Sequence, residues 1–206
     1  MTMRIVQLIA GLLLYGAGCA LMVHAGIGLD PWTVFAQGLS VQTGIGIGWV
    51  TNIVGFFVLL LWIPLRQRPG AGTLANILLV GTSMQLTLEF LPDISGFGLQ
   101  LLLFLAGIAV VAVASGLYIG ARFGPGPRDG LMTGLNSRLG WPIWMARLIV
   151  ELSVLAAGWA LGGTVGLGTI LFAVLIGPAV HVALPVFDRR ARRARRAPGT
   201  LPQPAP

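Results

Sequence analysis

Gly124-Pro125-Gly126-Pro127-Arg128-Asp129-Gly130 is the stretch from which this fold is read. Its prolines fix φ and remove amide donors, its glycines admit backbone conformations closed to other residues, and an arginine stands beside an aspartate. Long apolar segments flank it on both sides. Such a sequence does not belong in the middle of a membrane helix unless other elements satisfy the freed backbone groups. It reads as a break with a purpose, and the surrounding chain says what is broken.

The chain has 206 residues, of which 56% are hydrophobic and 9% charged, with a mean hydropathy of +0.89. That is too little polar surface to cover a soluble globule, so the chain belongs to the membrane class. The formal net charge is +7, and all 13 basic residues are arginines. Six of them form a tail cluster from Arg189 to Arg196. A single cysteine, Cys19, excludes an intrachain disulfide and a Cys-rich metal site, and it reads as a buried thiol.

Six apolar stretches reach the ~20 residues that a bilayer core requires: 5–25, 45–65, 72–91, 98–121, 142–162 and 166–187. The expected fold is therefore an all-α polytopic membrane protein with six transmembrane helices. The stretches 31–40 and 127–139 are too short to span, and each begins with a proline, where a missing amide is harmless. They are expected as short interfacial or re-entrant helices. Arg4, Arg66, Arg68, Arg122, Arg128, Arg138 and the tail arginines then fall on one face, and Arg147 lies within the fifth span. Cytoplasmic loops retain arginine, so both termini are expected in the cytoplasm of a bacterial inner membrane, with Asp30 and Pro31 outside and Arg128 inside. Trp49, Trp62, Trp141, Trp144 and Trp159 near span ends, and Trp32 in the outer loop, are expected as interfacial anchors.

Sliding the chain by 96 positions without a gap aligns Gly28 with Gly124, Pro31 with Pro127, Gly44 with Gly140, Gly70 with Gly166, Thr73 with Thr169 and Gly81 with Gly177. This reads as an internal duplication. The expected division is 1–94 as a first repeat, 95–188 as a second, and 189–206 as an Arg-rich then Pro-rich cytoplasmic tail. Each repeat holds three spans, an odd number, so the two cross in opposite senses as an inverted three-plus-three repeat. That plan belongs to transporters in which interrupted segments meet near the midplane; a static bundle with glycine-lined contacts is the alternative.

The candidate site residues are the loop prolines Pro31 and Pro127, the charged pair Arg128 and Asp129, and Arg147 with Glu151. Asp129 is placed to cap the short helix after Pro127, and Arg128 either closes a local pair with it or serves a substrate or gate. Arg147 and Glu151, four apart inside a span, share a helix face and pair; an ionisable group at that depth marks either structure or function. Asn52 is expected to bond another helix, Glu89 to lie at the interface, and Asp30 to be a turn residue of the outer loop. His24 and His181 are too far separated along their spans to suggest a metal pair. The glycine-rich stretches 44–48 and 162–168 lack the lysine of a phosphate loop, so no cofactor and no metal are expected. No nucleophile or carboxylate pair points to an enzyme.

The segments GIGLDPWTVFAQGLSVQTGI from Gly26, GPGPRDGLMTGL from Gly124, ARLIVELSVLAAGWALGGTVGLGT from Ala146 and LIGP at Leu175–Pro178 resemble the YczE branch of the YczE/YitT-type bacterial integral membrane proteins. The resemblance covers nearly everything but the Arg-rich tail. It implies topology and class and brings no activity with it. It also implies an acidic residue after Pro-Trp, where this chain has Thr33 and instead places Asp30 before Pro31.

The expected function is transport or conduction of a small solute between two oppositely facing proline loops. A non-transporting scaffold or assembly factor, or a substrate-capture subunit of a larger uptake complex, is the alternative. The expected partners are the lipid bilayer, anionic lipid at the Arg-rich tail and an unidentified small molecule, with homo-oligomers possible and nucleic acid excluded.

Overall fold

A computed structural model describes residues 1–187; the Arg-rich tail and its expected contact with anionic lipid lie outside the described residues. The described chain is helical throughout, with α1 Thr2–Ala25, α2 Pro31–Thr43, α3 Ile47–Leu60, α4 Trp62–Leu65, α5 Ala71–Phe90, α6 Phe97–Ala121, α7 Pro127–Leu139, α8 Ile143–Ala160 and α9 Leu167–Phe187. A single turn residue, Leu61, separates α3 from α4, and the two form one apolar rod, Ile47–Leu65. Six rods are long and apolar enough to cross a membrane, and their ends fall close to those expected from hydropathy. The short helices α2 and α7 stand apart from them, each opened by its proline at the first position.

α1 and α6 form the spine of the bundle. They approach closely because Gly18 and Gly107 face each other: a Cβ on Gly107 would lie 2.9 Å from the Gly18 carbonyl. Small residues permit that approach, and in lipid, packing of this kind replaces the hydrophobic drive that water would supply. Around the spine, Leu12, Met22, Leu29, Val34, Met84, Phe104 and Val111 are fully buried. α8 and α9 are the least enclosed rods, with much of their apolar surface facing outward.

Two loops lead into the short helices, and both are held in the same way. Gly28 and Gly124 have φ of 120° and 119°, a conformation that side chains with a Cβ rarely adopt. The Gly72 amide donates to the Phe123 carbonyl at 2.9 Å, and the Gly168 amide donates to the Ile27 carbonyl at 2.8 Å. Thr73 Oγ1 accepts from the Gly70 amide at 3.2 Å and Thr169 Oγ1 from the Gly166 amide at 3.3 Å. One bond differs for a chemical reason. Thr169 Oγ1 accepts from the Leu29 amide at 3.2 Å, whereas the residue matched to Leu29 is Pro125, which has no amide, and there Thr73 Oγ1 donates to the carbonyl at 2.8 Å. Each loop is therefore cradled by the Gly-Xaa-Gly-Thr start of a helix from the other half of the chain. The short helices also end alike, at Gly44 with φ 72° and Gly140 with φ 68°.

Candidate functional site

The cradled loops deliver the first turns of α2 and α7 to one place. Asp30 precedes α2 in extended conformation, and its carboxylate accepts from the Thr33 amide at 3.3 Å, capping the helix. Gly126 precedes α7 and no side chain caps that helix. Arg128 reaches across from α7, its Nη1 3.5 Å from Asp30 Oδ1 and its guanidinium 5.1 Å from the centre of the Trp32 ring. A cation over an indole face gains from the ring's quadrupole, most when water is excluded. The Trp62 indole donates to the Pro127 carbonyl at 3.0 Å, fixing α7 against α4.

This geometry corrects some expectations and decides between others. Asp129 does not cap α7; its Oδ2 accepts the Tyr118 hydroxyl at 3.3 Å instead. Arg128 does not close a local pair with Asp129 but crosses to Asp30, because the adjacent side chains on a helix diverge while the tips of α2 and α7 converge. Asp30 is more than a turn residue of the outer loop: it is buried, caps α2 and belongs to the site. Trp32 and Trp62 likewise are buried rather than anchored at an interface, whereas Trp49, Trp144 and Trp159 face outward.

Between the tips and the rods lies a cavity of about 430 Å³. Pro31, Pro127, Arg128, Asp129, Arg147 and Glu151 all line it, so residues spread over more than half of the chain share one space. Asp30, Trp32, Tyr15, Asn52, Asn76, Ser115, Tyr118 and His181 line it too. Arg147 and Glu151 pair along α8 at 2.9 Å, Arg147 with 59% of its side chain exposed and Glu151 with 32%. Tyr15 and Tyr118 meet edge to face, 6.0 Å between ring centres, forming an aromatic wall beside Asp129. The Trp32 indole nitrogen, buried, has no hydrogen-bond partner among the described residues.

Two helix pairs bound the cavity, and they are packed differently. Between α3 and α5, the Gly48 amide donates to Gln85 Oε1 at 3.2 Å and Asn52 Nδ2 donates to Thr82 Oγ1 at 3.0 Å, as a helix-to-helix bond expected for Asn52. A Cβ on Gly81 there would collide with the Gly48 carbonyl and with Asn52. Between α8 and α9, the residues matched to Gly48, Asn52, Gly81 and Gln85 are Trp144, Leu148, Gly177 and His181. A Cβ on Gly177 would meet nothing within 4 Å, and Trp144 points outward with 68% of its surface exposed. The cavity opens along α8 and α9 and is sealed along α3 and α5.

The sequence marked the proline loops, Arg128 and Asp129, and the Arg147–Glu151 pair, and gave no role at the site to Asp30, Trp32, Tyr118 and Asn76. A signal existed for two of them. At the offset of 96, Trp32 is the counterpart of Arg128, and Asp30 sits at the position before proline where helix caps concentrate. Tyr118 and Asn76 lie in ordinary apolar spans and carry no such mark.

Among known proteins, the chain is 38% identical over 182 residues to an uncharacterized protein of Haemophilus influenzae, covering 88% of this chain and 84% of that protein. It is 32% identical over 178 residues to the uncharacterized membrane protein YczE of Bacillus subtilis, covering 85% and 83%. It is 24% identical over 183 residues to the uncharacterized protein YyaS of the same organism, covering 87% and 91%. No solved structure matches it. A family model matches residues 2–185, and this membrane protein belongs to that family, the family of unknown function DUF6198.

Proposed function

We propose that the protein is a carrier for a small solute in the bacterial inner membrane, built from two oppositely oriented halves, 1–94 and 95–188, with both termini cytoplasmic. The observation that carries this reading is the pairing of a sealed and an open helix pair around a cavity onto which two proline-led helices converge. A static bundle has no reason to keep one of two matched contacts open. In a carrier of two inverted halves, exchange of the two packings turns the cavity from one face to the other, around loops that stay cradled. With the arginine-rich face inside, the α8 and α9 mouth faces the cytoplasm and the α3 and α5 seal faces outward. Asp30 and Arg128, one from each half, act as the pair across which the halves rock.

The test is side-specific thiol labelling. In a Cys19→Ala background, single cysteines replace Glu151 at the open mouth and Asn52 at the seal, and a membrane-impermeant maleimide is applied to intact cells and to inverted vesicles. Cysteine at 151 is expected to react from the cytoplasmic side and cysteine at 52, more slowly, from outside. A cysteine at 52 that never reacts from outside, beside one at 151 that does from inside, would leave a one-sided pocket and remove the carrier reading.

A further inference from the structure

We infer that the cavity binds a solute or ion carrying a single positive charge, with Asp129 as the counter-ion and Tyr118 and Asn76 beside it. This rests on the carrier reading. Asp30, Arg128, Asp129, Arg147 and Glu151 are the charged lining residues, with His181 counted neutral. Arg128 is committed to Asp30 and Arg147 to Glu151. No arginine among the described residues pairs with Asp129, so three carboxylates face two guanidiniums and the excess negative charge rests there. An uncompensated charge inside a membrane bundle is costly, and a bound cation removes that cost. The first turn of α7 favours a negative charge at this position.

The geometry beside Asp129 is suited to a small cation. A Cβ placed on Gly126 would lie 3.3 Å from Asp129 Oδ2, 3.6 Å from the Tyr118 hydroxyl and 3.9 Å from Asn76 Nδ2. Carboxylate, phenol and carboxamide thus surround one point that glycine leaves open. The phenol oxygen accepts from an N–H of an ammonium or binds an alkali ion, the carboxylate supplies the charge, and Asn76, which presents its Nδ2 to this point, bounds the niche. Ser115, on the turn of α6 before Tyr118, lines the same cavity. At the matched place in the other half the cap is Asp30 itself, already neutralised by Arg128, so the two halves do not offer the same charge to a solute. The chemistry shared by the candidates is one positive charge small enough to seat beside Gly126: a primary ammonium group or an alkali ion.

Full-length protein in nanodiscs is titrated with ethylammonium chloride, sodium chloride or potassium chloride, against tetraethylammonium chloride at equal ionic strength. The readouts are the thermal unfolding midpoint and intrinsic tryptophan fluorescence. A saturable rise in midpoint is expected with ethylammonium or an alkali ion and not with tetraethylammonium. Asp129→Asn, close in size, is expected to weaken half-saturation at least about tenfold, equivalent to ~1.4 kcal/mol, and Gly126→Ala to weaken it by filling the niche. Response to ethylammonium alone assigns an amine-bearing solute; response to sodium or potassium alone assigns a coupling ion. The inference is overturned if both variants titrate like the parent, or if no small cation exceeds the tetraethylammonium control. Saturable binding without outside labelling at position 52 would keep this inference and remove the carrier reading, and the converse result would do the reverse.

Discussion

The α3 and α5 pair and the α8 and α9 pair occupy matched places in the two halves, yet one is zipped by glycine contacts and amide bonds and the other is parted. Their loops differ far less: the cradles at Gly28 and Gly124 share backbone angles and hydrogen bonds almost bond for bond. The halves are therefore alike where they hold the short helices and unlike where they close the cavity. A reason can be read from the side chains. Gly48 and Asn52 allow α3 to seat on α5, while their counterparts Trp144 and Leu148 are bulky and apolar, and Arg147 and Glu151 add a charged pair on the same helix. The first pair seats on small and amide side chains that touch across it, and the second pair has no such contacts at the matched positions.

The harshest test of this contrast is a side chain in the seal. Gly81→Leu is expected to cost about 3 kcal/mol or more, because backbone stands where the side chain would go, whereas Gly177→Leu should stay within about 0.5 kcal/mol. Denaturant unfolding of both variants in one detergent checks this, and equal losses would break the comparison. Arg128→Ala comes next, at about 2–3 kcal/mol, since it strips the buried Asp30 of its cation. Adding Asp30→Asn should return part of that loss in a double-mutant cycle.

Smaller effects sharpen the other side of the comparison. Thr73→Val and Thr169→Val each remove a buried hydroxyl that holds a loop, and each should cost about 1–2 kcal/mol. The two values should agree within the scatter of thermal unfolding; a large difference would mean that the cradles are less alike than their hydrogen bonds. Arg147→Ala is expected to change stability least, by about 0–1 kcal/mol, because its pair is largely exposed. Its effect should instead appear as altered labelling of the α8 and α9 mouth.

The helical spans were legible because a bilayer demands about 20 apolar residues per crossing, and Gly-Pro breaks stand out against that background. The proline loops and the pairing of Arg147 with Glu151 followed from local spacing, four residues being about one helical turn. The partner of Arg128 was not legible, for the opposite reason. That partner, Asp30, is 98 residues away, and no local rule weighs a neighbour against a residue brought in by a second helix tip. The roles of Trp32 and Trp62 were obscured in the same way, since an indole near a span end reads as an anchor until a facing carbonyl or guanidinium is seen.

What the sequence by itself determined is the number and length of the spanning rods, the two proline breaks and the matched spacing of 96 residues, because hydropathy, proline and glycine act on the chain within a few residues. Only the tertiary structure decided that the two breaks meet, that Arg128 pairs with Asp30, that Asp129 turns to Tyr118, and that one of two matched helix pairs stands open. These are contacts between segments far apart in the chain. They depend on which surfaces can approach, and backbone close enough to touch at Gly48 and Gly81 but held off at Trp144 and Gly177 is a property of packing that no window of sequence contains.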